Sequence, residues 1–223
     1  MEVALFDYGT GNLHSLAKAL ERGGARVRIE ESVDRALAAD ALVLPGVGAF
    51  GAAAARLAGA PSAPAGPGGQ KLPRIMAELL EEMESATARL REALAGGMPC
   101  LGICLGMQLL FEESEEGAGR GVGALRGRVR RVQARRVPHM GWNEVEGGGA
   151  PLFTGVEGMM AYYANSFAVE PAEPADVLAW TSYGADRFPA AVRRGNTFGV
   201  QFHPEKSGAA GLRLVANFLA AAR

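Results

Sequence analysis

Three side chains in this sequence have the types and neighbours that nucleophilic catalysis needs. Cys104 lies in Leu101-Gly102-Ile103-Cys104-Leu105-Gly106-Met107-Gln108, with a glycine two residues to either side. A short apolar stretch, Met98 to Ile103, precedes it, and a helical pattern, Met107 to Phe111, follows. This is the Gly-x-nucleophile-x-Gly spacing of a strand-turn-helix elbow, with a thiol at its centre. Such a turn strains the backbone of its central residue, and side chains two positions away would collide there. The turn also brings the sulfur to a helix N-terminus, where the dipole favours thiolate. The alternative is a buried core cysteine in a glycine-rich turn; both glycines and the strand-helix context weigh against it.

A thiol nucleophile needs a base, and the base needs a third group to orient it. The chain has three histidines. His14 falls inside a helical pattern and reads as structural or surface. His139, in Val137-Pro138-His139-Met140-Gly141-Trp142-Asn143, sits in a loop or strand edge. His203 follows an apolar strand, Thr197 to Phe202, and leads into Pro204-Glu205. Pro204 stiffens the turn and bars further strand pairing. Glu205, two residues on, falls on the same side and accepts a ring N–H. His203 with Glu205 is the best base-and-orienter pair; the alternative is a solvated turn. Pro45-Gly46-Val47-Gly48 reads either as a plain turn or as a source of backbone N–H groups for an oxyanion.

The elements that must position these residues follow an α/β rhythm. Glu2 to Phe6, Arg26 to Ile29 and Ala41 to Leu44 read as strands, with helices at Leu13 to Arg22 and Val33 to Ala38 between them. Alternating strands and helices predict a mostly parallel central sheet flanked by helices, a three-layer arrangement. In such sheets active sites gather at the carboxyl ends of strands, where the loops Asp7 to Asn12, Pro45 to Gly48 and the Cys104 elbow all fall. Residues 58–74 are a flexible Gly/Pro/Ala insert. Ile75, Leu79, Met83, Ala86, Leu90 and Leu94 then mark one amphipathic helix. From about Gly121 short strands predict a smaller antiparallel β portion: 122–132, 143–146, 159–170, 175–181, 190–194 and 197–202. Leu212 to Ala222 closes as a helix. The 223 residues suit one domain, 1–223.

Bulk properties narrow the function classes. A formal net charge of −1 gives no basic footprint for nucleic acid. No apolar run is long enough to span a membrane, and the N-terminus reads as a strand rather than a signal peptide. Cys100 and Cys104 are the two cysteines. On an extended segment they lie roughly 13 Å apart, beyond the ~7 Å reach of a disulfide. Cys-x₃-Cys alone lacks the ligand count of a zinc site. A reducing, cytoplasmic setting follows. Gly9-Thr10-Gly11 lacks the third glycine of a dinucleotide fingerprint, so nucleotide binding is weakly supported.

Together, the elbow, the Pro-Gly-Val-Gly loop and Phe202-His203-Pro204-Glu205 resemble the class I glutamine amidotransferases. Asp7-Tyr8-Gly9-Thr10-Gly11-Asn12-Leu13, Pro45 to Gly51, Gly102 to Phe111, Pro138 to Asn143 and Phe202 to Gly208 are similar to one branch, the glutaminase subunits of imidazole glycerol phosphate synthases. That resemblance implies the three-layer amidotransferase fold and no metal or organic cofactor. It implies Cys104, His203 and Glu205 as the catalytic set acting on L-glutamine. It implies backbone groups of Val47, Gly48 and Leu105 around the oxyanion, and Gly46, Gln108, Ser166 and Phe167 along the substrate. It implies a heterodimer with a (β/α)₈-barrel cyclase that takes up the ammonia in histidine biosynthesis, met by Gly11, Asn12, Met140, Trp142 and Lys206. Two departures stand out. Asn165 occupies a position where that branch commonly has His, and the 58–74 insert is longer than the resemblance leads one to expect. Two other readings compete: another class I glutaminase, against which 7–13 and 138–143 speak, and a catalytically silent binding or redox-sensing protein, against which the complete Cys104, His203, Glu205 set speaks.

Overall fold

The computed structural model describes residues 1–9, 13–46, 48–58, 86–117 and 119–223. An eight-stranded sheet forms the middle layer. Its strands, in chain order, are β1 (Glu2–Phe6), β2 (Arg26–Glu30), β3 (Ala41–Leu44), β4 (Cys100–Ile103), β8 (Glu146–Gly147), β11 (Val177–Tyr183), β12 (Asp186–Arg194) and β13 (Thr197–Val200). The spatial order is β2-β1-β3-β4-β13-β12-β11-β8. The first five run parallel and the last three pair antiparallel. The expected antiparallel portion is therefore partly an extension of the main sheet. The rest forms two small sheets: β5 (Glu113–Ser114), β6 (Gly127–Arg131) and β10 (Phe167–Pro171) make one, and β7 (His139–Glu144) with β9 (Met160–Asn165) makes the other.

Strand composition explains the layering. β1, β3, β4 and β13 are buried almost throughout, as continuous apolar strands in a parallel sheet must be. Edge strand β2, Arg-Val-Arg-Ile-Glu, carries charges that blunt its free edge. Successive side chains alternate between faces. Val3, Leu5, Val43, Leu101 and Ile103 pack with helices α1 (His14–Arg22) and α6 (Gly208–Ala221). Ala4, Phe6, Leu42, Leu44 and Cys100 pack with α2 (Val33–Ala36), α3 (Phe50–Leu57), α4 (86–95) and α5 (Leu105–Leu109).

Several boundaries moved from their sequence-based positions. Helix α5 begins at Leu105, directly after the thiol, not at Met107. The segment 143–146 divides into the end of β7 and β8, and pairing of 122–132 is confined to Gly127–Arg131. β13 ends at Val200, so Gln201 and Phe202 form a bend that carries His203 out of the sheet. Ala86, Leu90 and Leu94 of the amphipathic stripe are buried on α4. Ile75, Leu79 and Met83, and the insert beyond Ala58, lie outside the described residues.

Candidate active site

Cys104 occupies the sharp turn between β4 and α5. Its φ of 49° and ψ of −107° make it the one non-glycine residue with positive φ among the described residues. Holding such a backbone costs on the order of 1–3 kcal/mol and requires neighbours that enforce it. They are present. The Cys104 N–H donates to Val200 O at 2.7 Å, and its carbonyl accepts from Gln108 N at 3.1 Å. A Cβ on Gly106 would lie 2.0 Å from Leu44 O, and one on Gly102 would lie 2.7 Å from the Gly106 backbone. The two flanking glycines thus let α5 press onto the sheet and leave the sulfur at its carboxyl edge.

His203 emerges beside this turn because β4 and β13 are parallel neighbours. A 3₁₀ turn, Pro204–Lys206, folds Glu205 back until its Oε1 lies 2.9 Å from His203 Nδ1. The side chains of both residues are nearly buried, 7% and 9% exposed. Burial alone would push the imidazole pKa down. Hydrogen bonds and charges from Cys104 and Glu205 outweigh it and raise the pKa from 6.5 to about 9. Cys104 and Glu205 are thus the two groups that act on the ring, with Glu205 at hydrogen-bonding distance from Nδ1. Its main chain is fixed as well: His203 N donates to Tyr162 O at 2.8 Å, and Ser207 Oγ donates to His203 O at 2.7 Å.

The opposite wall is the loop after β3. A Cβ on Gly46 would stand 2.8 Å from Cys104 Cβ and 3.1 Å from His203 Cε1, so only glycine lets this loop approach the pair. Gly48 has a φ of 111°. Val47 lies outside the described residues, as do Gly11 and Asn12. Leu105 N–H belongs to the first turn of α5, whose donors have no intrahelical acceptor.

Behind the thiol lies a buried amide cluster. Gln108 Nε2 donates to Phe167 O at 3.1 Å and to Gln201 Oε1 at 3.3 Å. Asn165 Nδ2 donates to the same Phe167 O at 3.0 Å. Gln201 Nε2 lies 3.5 Å from Cys104 Sγ. Ser166 is at the bend between β9 and β10, and its carbonyl accepts from Val132 N at 2.9 Å. Sequence reading passed over Gln201. Its signal was there: it stands two residues before His203, a polar residue among apolar ones at the end of a buried strand.

Met140 and Trp142, spaced by two on β7, point outward at 65% and 55% exposure. The cross-strand partner of Trp142 is Tyr162, and Lys206 Nζ lies 5.9 Å from the centre of the Tyr162 ring. Met160, also exposed, extends this apolar face and was not picked out from the sequence. His139, on the other side of β7, is stacked between Tyr163 and Tyr183 at 4.9 and 3.9 Å. Burial pushes its pKa down to about 4. Cys100 is a free, fully buried thiol whose pKa burial raises far above the usual range. Among the described residues, no helix is long and apolar enough to cross a membrane.

Comparison with known proteins identifies the family and the fold. The family model described as "Glutamine amidotransferase class-I" matches residues 4–222. The chain is 42% identical over 224 residues to the imidazole glycerol phosphate synthase subunit HisH of Thermosynechococcus vestitus, covering 98% of this chain and 96% of the relative. It is 41% identical over 232 residues to the HisH subunit of Natronomonas pharaonis, covering 98% and 94%. A crystal structure of a glutamine amidotransferase superposes with a TM-score of 0.68 at 19% identity, covering 99% of this chain and 98% of that one, which establishes the shared fold. The chain belongs to the class-I glutamine amidotransferase family, within the group formed by the HisH subunits.

Proposed function

We propose that this chain is the glutaminase subunit of an imidazole glycerol phosphate synthase, with Cys104, His203 and Glu205 as its catalytic residues. The observation that carries the reading is the buried cluster of Cys104, His203 and Glu205 at the carboxyl ends of β4 and β13: Glu205 Oε1 lies 2.9 Å from His203 Nδ1, and a Cβ on Gly46 would meet both Cys104 Cβ and His203 Cε1. Cys104 thiolate attacks the side-chain amide carbon of L-glutamine. The carbonyl oxygen takes up negative charge and is met by the N–H of Leu105 and by amides of the Val47–Gly48 loop. The C–N bond breaks as His203 gives its ring proton to the departing nitrogen, releasing ammonia and leaving a γ-glutamyl thioester. Neutral His203 then takes a proton from water, whose oxygen attacks the thioester. The C–S bond breaks, glutamate leaves, and the thiolate–imidazolium pair returns. Glu205 keeps the imidazole in the orientation and tautomer both steps need. Gly46, Gln108, Ser166 and Phe167 line the substrate.

The partner is a (β/α)₈-barrel cyclase, bound as a heterodimer, that uses the ammonia to make imidazole glycerol phosphate in histidine biosynthesis. The names of the relatives support it, as does an outward face carrying Met140, Trp142 and Lys206 next to the His203 turn. The resemblance also assigns Gly11 and Asn12, which lie outside the described residues, to contact with the cyclase. Free thiols such as Cys100 and Cys104 suit the reducing cytoplasm. Intact-mass measurement during glutamine turnover with the cyclase present tests the chemistry. A glutamyl adduct localised to Cys104 is expected; turnover with an adduct elsewhere, or none when the reaction is quenched in acid, contradicts it.

A further inference from the structure

The buried amides behind the nucleophile form one chain whose polarity is fixed from its far end. Phe167 O is a main-chain carbonyl and can only accept hydrogen bonds. The groups facing it, Gln108 Nε2 at 3.1 Å and Asn165 Nδ2 at 3.0 Å, must therefore be the N–H₂ ends of their amides. The second N–H of Gln108 then needs an acceptor, and Gln201 Oε1 stands 3.3 Å away. With its oxygen so engaged, Gln201 turns its own N–H₂ toward Cys104 Sγ, 3.5 Å distant. Gln201 is fully buried and Gln108 and Asn165 are 4% exposed, so bulk water does not compete along the chain. Flipping any one of these amides would set two acceptors or two donors against each other.

We propose that Gln201 is a further catalytic residue, a fixed carboxamide donor to the Cys104 thiolate, and that Gln108, Phe167 O and Asn165 are positioning groups that hold its polarity. This rests on the reading of Cys104 as nucleophile. His203 supplies a proton that must leave with the nitrogen, whereas Gln201 supplies one that cannot be lost. The donor therefore remains on the sulfur in both half-reactions, including when the thiolate is expelled from the thioester. The chain also continues outward. Asn165 is the cross-strand partner of His139, whose strand neighbours Met140 and Trp142 form the exposed face. Movement of the β7–β9 pair would thus be felt at the sulfur through four amide contacts.

Two variants of the full chain test it. Gln201→Met keeps approximate size and removes the donor. Gln201→Glu keeps an acceptor for Gln108 and sets a carboxylate against the sulfur. The first readout is the pH dependence of iodoacetamide alkylation at Cys104, assigned by peptide mapping; it requires neither glutamine nor turnover. The second is kcat and KM for glutamine in the complex with the cyclase. Loss of one charge-assisted donor should raise the alkylation midpoint by about one pH unit and lower kcat about tenfold to a hundredfold, with KM within about threefold. Gln201→Glu should move both further in the same direction. If Gln201→Met does not fold, judged by circular dichroism, Gln201→Glu decides alone. A folded variant with the wild-type alkylation midpoint overturns the proposal. A wild-type chain that releases no glutamate while the variants still shift the midpoint would instead sink the functional assignment and leave the donor role standing.

Discussion

In the proposed reaction the proton that leaves with ammonia comes from His203, whose ring, beside Cys104 and Glu205, keeps its proton at neutral pH. The sign of the pH dependence follows. With a pKa raised from 6.5 to about 9, the charged ring stabilises the folded state fully below pH 6.5, and that stabilisation is lost as pH rises through about 9. In the proposed reaction the same proton loss sets the alkaline limb of glutaminase activity. Glu205→Gln removes one of the two raising partners, so the alkaline limb of the kcat profile should move to lower pH; an unmoved limb would remove Glu205 from the mechanism. Gly46→Ala should lower kcat at least about tenfold, because the new methyl group would sit in the space occupied by Cys104 Cβ and His203 Cε1. Cys100→Ser should spare most of the activity, since Cys100 is buried in the opposite core. Comparable losses at Cys100 and Cys104, measured as glutamate release, would argue for a redox pair instead. Cys104, His203 and Glu205 were legible in the sequence because each has a local signature: flanking glycines, a strand end, a proline-stiffened turn. Gln201 was not, because its partner Gln108 lies 93 residues away and only the fold brings them together.

At the scale of elements, the elbow depends on how closely α5 approaches β3. A Cβ at Gly106 would stand 2.0 Å from the Leu44 carbonyl oxygen, and backbone cannot rotate away as a side chain can. Gly106→Ala should cost about 1–3 kcal/mol of stability, read as a lower urea midpoint, together with loss of activity. The β7–β9 pair has its own signature. His139 has a folded pKa of about 4 against an ordinary 6.5, so the unfolded chain binds a proton there that the folded one refuses. That contribution to stability is present above pH 6.5 and falls away as the pH drops toward 4. His139→Phe, which keeps an aromatic ring between Tyr163 and Tyr183, should flatten the decline of melting temperature across this window; an unchanged slope would show that other groups control it. The parallel strands β1, β3, β4 and β13 were readable because each is a short apolar run bounded by loop residues, and β2 because its alternating Arg-Val-Arg-Ile pattern suits a sheet edge. The partition of the later strands among three sheets was not. It is decided by pairing partners remote in sequence, such as Ser166 O with Val132 N, rather than by local pattern.

At the scale of the molecule, two apolar cores sandwich one sheet, and the site lies at its carboxyl edge where three chain segments meet. Beside it the β7–β9 pair presents Met140, Trp142 and Met160 outward. Exposed apolar side chains clustered on one face mark an interaction surface. Trp142→Ala should weaken cyclase binding about tenfold or more by calorimetry while leaving the melting temperature of the isolated chain nearly unchanged. A drop in melting temperature with unaltered affinity would make the residue structural. The face adjoins the proposed site by short paths: the Tyr162 carbonyl accepts from His203 N, and the Tyr162 N–H donates to Ser207 Oγ. In the proposed function Cys104 produces the ammonia that a cyclase partner consumes. The most direct test compares glutamine-dependent and ammonium-dependent imidazole glycerol phosphate synthesis by the complex carrying Cys104→Ala. The glutamine-dependent reaction should be abolished and the ammonium-dependent one retained. A Cys104→Ala complex that still uses glutamine would contradict it.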